Sequence, residues 1–226
     1  MFRFKELIEL WRSDNLLTQA LNRSHAMLES TEEMFIESVK SLRESDTGEM
    51  GMDVYKKDQM VNEYQREVRG KVLKHLAITG GANIIPGLIL TSIVIDIERI
   101  GDYTKNIKDL AVAHPKRLEC ASYEEDIQKI EKGVAELFRR ALPALKQSDK
   151  VAADKLIREN WWMIRRCDEI LEELIIERDT SLSPGDAVST AIYARFLKRI
   201  AAHLINMLTS VVNPFEFIGF HADDEV

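Results

Sequence analysis

Apolar residues return along the chain at helical spacing almost from its start. Leu7, Trp11, Leu17, Leu21, Leu28, Phe35 and Leu42 step by about 3.5 residues, the stripe of a helix packed lengthwise on its neighbours. Ser24, Thr31 and Ser38 fall in the same seam, so the contact is expected to be close and not wholly apolar. Ser13-Asp14-Asn15 can start a fresh helix after a short N-terminal one, and Ser45 to Gly51 reads as a loop. A second helix follows from Asp53 to Thr79 through Met60, Val61, Tyr64, Val68, Val72 and Leu76. Gly80-Gly81 supplies a left-handed stop. Pro86 suits the first turn of a third helix, where its missing N–H would be unpaired anyway. That helix is expected to reach Ala113, with His114-Pro115 ending it.

The second half repeats the plan. Ser122-Tyr123-Glu124-Glu125 fits a capping box opening a helix through Ile127, Ile130, Val134, Leu137 and Leu145, with Pro143 kinking or ending it. Ser148-Asp149 can cap the next helix, which carries Leu156, Trp161, Ile164, Cys167, Ile170, Leu171 and Leu174. Ser181 to Asp186 reads as a loop, and a last helix spans Ala187 to Val212, stopped at Asn213-Pro214. The pattern therefore predicts an all-α chain of two tandem three-helix bundles, related by an offset of about 100 residues. Residues 1–115 and 116–214 are the expected units. A short acidic tail, 215–226, ends in Asp223-Asp224-Glu225-Val226 and is expected to be mobile.

Composition agrees with helices. Of 226 residues, 45% are hydrophobic and 31% charged, and 10 Gly and 5 Pro leave little for the turns of a β fold. The formal charge, 31 − 38 = −7, disfavours general nucleic-acid binding. Arg195, Lys198 and Arg199 form a local basic patch that reads first as a solvated helix face. Cys120 and Cys167 lack metal or redox spacing and read as reduced thiols of a cytoplasmic protein. Charges appear early at the N-terminus, so no signal peptide is expected. The apolar run from Ile84 to Ile97 falls short of the ~20 residues that span a bilayer. The expectation is a soluble chain, peripheral to a membrane at most.

One local sequence stands out, Ile93-Val-Ile-Asp96-Ile-Glu98-Arg99-Ile-Gly-Asp102-Tyr-Thr-Lys-Asn106-Ile107. Glu98, Asp102 and Asn106 are four apart and share one helix face. Two carboxylates one turn apart, near ~6 Å, repel by roughly 3 kcal/mol at an effective dielectric of ~20. Such a pair is relieved by a proton, a basic side chain or a hard cation. Arg99, three residues from both Asp96 and Asp102, is the ordinary ion-pair answer, and a metal ion is the other.

That string resembles the signature helix of the PhoU family. The resemblance implies two three-helix bundles whose repeated E/D-x-x-x-D motif binds iron or other metal clusters in several members. It makes Glu98 and Asp102 the candidate ligands for iron, manganese or zinc, with Asn106 as a neighbouring polar contact. Asp58, Asn62, Glu63 and Glu67 on the second helix could add oxygens if they face Glu98. The second copy departs from the pattern: Lys198 stands for Glu98, Ala202 for Asp102, and only Asn206 matches Asn106. Neither Lys198 nor Ala202 can ligate, so the second half-site is expected to be lost.

No Glu-x-x-His di-iron motif, Gly-rich phosphate loop, nucleophile elbow or zinc spacing appears. No enzyme is expected. His203, beside the lost motif, reads first as a packed or capped histidine and second as a stray ligand. Trp161 and Trp162 project about 100° apart, which reads first as core packing for both and second as one in the core with the other covering a partner or the opposite bundle. The resemblance implies a regulatory adaptor that contacts a phosphate transporter component, a phosphate-sensing histidine kinase, or both; a homodimer is compatible with it. Two other readings stay open: a metal-binding bundle working through its carboxylate face, and a helical interaction module unrelated to phosphate.

Overall fold

The computed structural model describes residues 15–48, 51–81, 83–114 and 116–220. Within them the chain forms six long helices and no strand: α1 (Leu16–Glu44), α2 (Val54–Ile78), α3 (Ile84–Ala113), α4 (Glu124–Gln147), α5 (Lys150–Ile175) and α6 (Pro184–Val212). Short 3-10 turns lie at Ala121–Tyr123 and Phe215–Phe217. Four of the six helix starts follow ordinary capping chemistry, a side-chain oxygen accepting from an otherwise unpaired backbone N–H, while α3 and α4 start without a side-chain cap. Asn15 accepts from Thr18 N, Asp53 from Lys56 N, Asp149 from Val151 N and Ala152 N, and Ser183 from Asp186 N.

Several boundaries differ from the sequence reading. The expected capping box at Ser122 does not form. Ser122 sits inside the 3-10 turn and its N–H donates to Asp179 Oδ2, while Glu124 reaches back to accept from Cys120 N at 2.9 Å. Only one arm of a cap is therefore made, by the Glu124 carboxylate. Pro143 lies inside α4, which continues to Gln147. The last helix begins at Pro184, not Ala187, because Ser183 is its cap and Pro184 takes the first helical position. The tail's first residues are held: Asn213 Nδ2 donates to Phe217 O and Phe220 O, and Gly219 N donates to Thr209 Oγ1. Leu7, Trp11, Ser13, Asp14 and the terminal Asp223–Val226 lie outside the described residues.

Helices α1, α2 and α3 pack on one another, as do α4, α5 and α6. The two groups meet chiefly through α3 against α6 and secondly through α1 against α4. Contacts along α3 and α6 run in opposite order, from His114 with Asp186 through Tyr103 with Phe196 to Asp96 with His203, so this central pair is antiparallel. One contiguous apolar core runs through all six helices. Phe35 on α1 meets Phe138 on α4 with ring centroids 5.5 Å apart, inside that core. Ser24, Thr31 and Ser38 are buried in the α1 seam as expected, and Ser24 and Thr31 bond back to carbonyls of their own helix. Gly48 needs its lack of a side chain: its φ is +66°, and a Cβ would stand 2.6 Å from Ala111 O.

A buried polar cluster ties the loop before α4 to the core. Arg43, at the end of α1, donates to Leu118 O and pairs with Glu124, and its Nε lies 2.9 Å from Glu131 Oε1 on α4. Tyr193 on α6, fully buried, donates to the same Glu131 oxygen at 2.7 Å. Burial raises the Glu131 carboxyl above its usual range even with Arg43 opposing it. Cys120 and Cys167 are both buried and unbridged, and desolvation pushes their thiols up to about 11 and about 12, which leaves them unreactive.

His25 on α1 lines a small, mostly apolar cavity between the helix groups, with Leu28, Ile97, Leu145 and Met207 among its walls. Its Nε2 is buried with no hydrogen-bond partner among the described residues. Burial, then Lys146, lowers its pKa to about 4. The folded imidazole therefore stays neutral where the unfolded one takes up a proton. Stability is full above pH 6.5 and falls as pH drops toward about 4, by an amount on the order of 2–3 kcal/mol. Urea unfolding across that window should show this slope, and His25→Phe should flatten it. In the polar cluster, Arg43→Ala strands two carboxylates and should cost roughly 3–5 kcal/mol by urea unfolding at neutral pH. A loss within about 0.5 kcal/mol, the range of an ordinary surface change, would mean the cluster is not stabilising.

Candidate functional site

The carboxylates of α3 meet a partner from α2. The antiparallel α2–α3 contact brings Asp58 beside Gly101, where an added Cβ would already stand 3.5 Å from Thr31 and Val61 and 3.8 Å from Asp58 Oδ1. Asp58 is only 7% exposed. Its charge is met by Lys105, whose Nζ lies 3.0 Å from Asp58 Oδ2 and 3.0 Å from Asp102 Oδ1. Asn62 Nδ2 donates to Asp58 Oδ2 at 3.4 Å. Arg99 reaches Asp102 Oδ2 at 3.2 Å and lies 3.7 Å from Glu98 Oε2. Burial, then the Asp102 charge, raises the Glu98 carboxyl above its ordinary range. Burial opposes the charge on Lys105, but bonds to Asp58 and Asp102 outweigh it and raise the ammonium's pKa.

The structure thus draws Glu98, Asp102, Asp58 and Asn62 into one neighbourhood. Asn106 is half-buried one turn on, and Glu63 is exposed to solvent. Glu67 is committed elsewhere, 2.8 Å from Arg23 Nε and 3.4 Å from Lys71 Nζ. Arg99 takes Asp102 and not Asp96 as its partner, because Asp96 turns toward the other helix group. Lys105 was legible in principle: it stands three residues after Asp102, ordinary ion-pair spacing on a helix.

The second copy is organised by the opposite charge. Lys198 donates to both oxygens of Asp168 on α5, at 2.6 Å each. Ala202 is half-buried, and Asn206 lies beside Gly219 of the tail. The expected basic patch is therefore mostly engaged: Lys198 holds Asp168, Arg199 Nε donates to Tyr103 Oη at 3.1 Å, and Arg195 faces solvent.

His203 belongs to the contact between the two halves. Its Nδ1 lies 2.7 Å from Asp96 Oδ1, and its ring stacks on Tyr103 with centroids 5.9 Å apart. Arg199 stands 5.6 Å over the other reach of the same Tyr103 ring. Asp96, Tyr103, Arg199 and His203 thus form a polar latch across α3 and α6. Positions about 100 residues apart on separate helices carry no local signal, so sequence reasoning did not find it. Trp161 packs against the core, whereas Trp162 keeps 38% of its surface exposed.

The side chains of the acid face are organised around a lysine. Among the described residues no three Asp, Glu, His or Cys side chains are arranged to hold an ion together. The Lys105 ammonium stands between Asp58 and Asp102, within ion-pair distance of both. An ammonium donates three hydrogen bonds and accepts none, so it neutralises those oxygens without completing a ligand set. No helix among the described residues is long and apolar enough to cross a membrane.

Comparison with known proteins places this arrangement. Residues 25–111, which run from within α1 to the end of α3, match the model of the PhoU domain. The fold is similar to that of PhoU from Pseudomonas aeruginosa, with a TM-score of 0.78 at 21% identity over 87% of this chain and 95% of that one. It is also similar to the phosphate transport system regulatory protein PhoU from Streptococcus pneumoniae, with a TM-score of 0.75 at 16% identity over 86% and 92% of the two chains. A search of curated proteins finds no match.

The latch yields a thermodynamic test. In a double-mutant cycle, Asp96→Ala and His203→Ala should couple by about 1–2 kcal/mol, since each removes the other's buried partner. Additive losses in urea unfolding would mean that the two side chains are neighbours only.

Proposed function

We propose that this PhoU-family chain is a regulatory adaptor that modulates phosphate uptake and phosphate signalling. Its partners in this reading are a phosphate transporter component, a phosphate-sensing histidine kinase, or both, met at the cytoplasmic face of the membrane. The observation that carries the reading is the PhoU domain match over α1 to α3, joined to a PhoU fold that extends over nearly the whole chain. Residues 1–115 and 116–214 act as its two PhoU-like units.

Adaptors work by contact. A protein that biases a partner between two states must bind those states with different affinity. The central helices offer surface for such contact. On α3, Leu88 and Ile95 are 37% and 40% exposed, and Arg99 continues the same stripe seven and then four residues along. Val188 and Ile192 occupy the corresponding stretch of α6, 59% and 39% exposed, followed by the exposed Arg195. The buried ion pairs described above hold these helices in fixed register, so the surface is presented by a rigid support.

Co-purification from native cells tests the reading. A transporter or sensor-kinase component should be recovered, and deletion should alter phosphate uptake or the phosphate response. Ile95→Asp combined with Ile192→Asp should lower partner recovery about tenfold or more, the effect of losing well-packed apolar anchors. The thermal midpoint should stay within a few degrees, since both residues are on the surface. Recovery of no such component under both phosphate-rich and phosphate-poor growth, with uptake unchanged in the deletion strain, would favour an interaction module outside phosphate control.

A further inference from the structure

The acid face of α3 and its counterpart on α6 differ in sequence but share one device. In the first half, Lys105 Nζ sits 3.0 Å from oxygens of both Asp58 and Asp102, linking α2 to α3. In the second half, Lys198 Nζ sits 2.6 Å from both oxygens of Asp168, linking α5 to α6. The two lysine side chains are 25% and 23% exposed; Asp58 is 10% exposed at its side chain, whereas Asp168 is 46% exposed. Each joins the two helices that pack before and after the same hairpin turn of its bundle. A fixed cation thus joins the last two helices of each half.

We propose that Lys105 and Lys198 are resident cations that take the structural part a bound metal would play at these faces, so that this chain holds its carboxylate helices together without a metal ion. The electrostatic need is the same in either case. Asp58 is buried, Glu98 and Asp102 repel one turn apart, and some positive charge must stand among them. A lysine supplies it at fixed stoichiometry and independent of metal supply. A divalent ion gains its affinity from several converging oxygens, and Lys105 holds two of those oxygens apart from any such set. The second half carries the exchange further, with the cation on α6 itself and its acid on α5.

Mn2+ alone is a sufficient probe. Wild-type protein purified without chelator should carry less than one equivalent of iron, manganese or zinc by elemental analysis. Titration with Mn2+, followed by the paramagnetic resonance of the free ion, should show at least about tenfold weaker binding for wild type than for Lys105→Gln, which frees Asp58 and Asp102. Wild type that holds one or more equivalents tightly, and loses them on Glu98→Gln with Asp102→Asn, would overturn the proposal. So would a folded Lys105→Gln variant that binds Mn2+ no better than wild type. Should Lys105→Gln fail to fold, the wild-type thermal midpoint decides. A ligand that binds only the folded state raises it; no rise with Mn2+ supports the resident cation, and a rise that Asp102→Asn abolishes overturns it.

Discussion

The antiparallel packing of α3 against α6 is the contact on which the rest of this molecule depends. Each half of the chain builds three helices, and three amphipathic helices leave one broad face of their central member to be covered. Here the two central members cover one another, so the apolar core continues through all six helices without a break. Close apolar packing fixes the distance between α3 and α6 but tolerates sliding by a turn. The polar latch of Asp96, His203, Tyr103 and Arg199 removes that freedom, because a shifted register would strand a partly buried carboxylate and a buried imidazole. The orientation of the two halves is therefore set by a few directional bonds inside an otherwise non-directional contact.

Charge is handled in the same manner elsewhere. Arg43 gathers Glu124, Glu131 and the Leu118 carbonyl where the chain passes from the first half to the second. Lys105 and Lys198 each join two neighbouring helices through a carboxylate. Buried ion pairs contribute less net stability than an apolar substitute of equal volume, but they penalise every arrangement in which a partner is missing. That penalty keeps the helices that carry these groups in one geometry. The charged groups of the interior thus serve register, while Leu88, Ile95, Val188 and Ile192 leave apolar surface exposed on α3 and α6.

Much of the architecture was legible in the residues. The six helices, their caps at Asn15, Asp53 and Asp149, the stop at Gly80-Gly81 and the polar seam of α1 all follow from local patterns. The errors were local as well. Ser122 met the letter of a capping box, yet Asp179 took its N–H and Glu124 capped Cys120 instead. Pro143 did not end α4, because the apolar face of that helix continues to Leu145 and is buried on both sides of the proline. Spacing put Glu98 and Asp102 on one helix face, and the resemblance to the PhoU signature helix made them the candidate pair. Asp58 could be named only as a candidate, and Glu67, equally eligible by sequence, turned out to face Arg23.

The sequence by itself determined the class of fold, the two-fold plan and the helix that bears the acids. These rest on periodicity and on caps, which act within a few residues of one another. The tertiary structure alone decided which acids share a neighbourhood, that Lys105 stands between two of them, and that His203 belongs to Asp96 across the central pair. Those facts depend on the register and rotation of one helix against another. Such quantities are fixed by packing between residues far apart in the chain, where no local pattern records them.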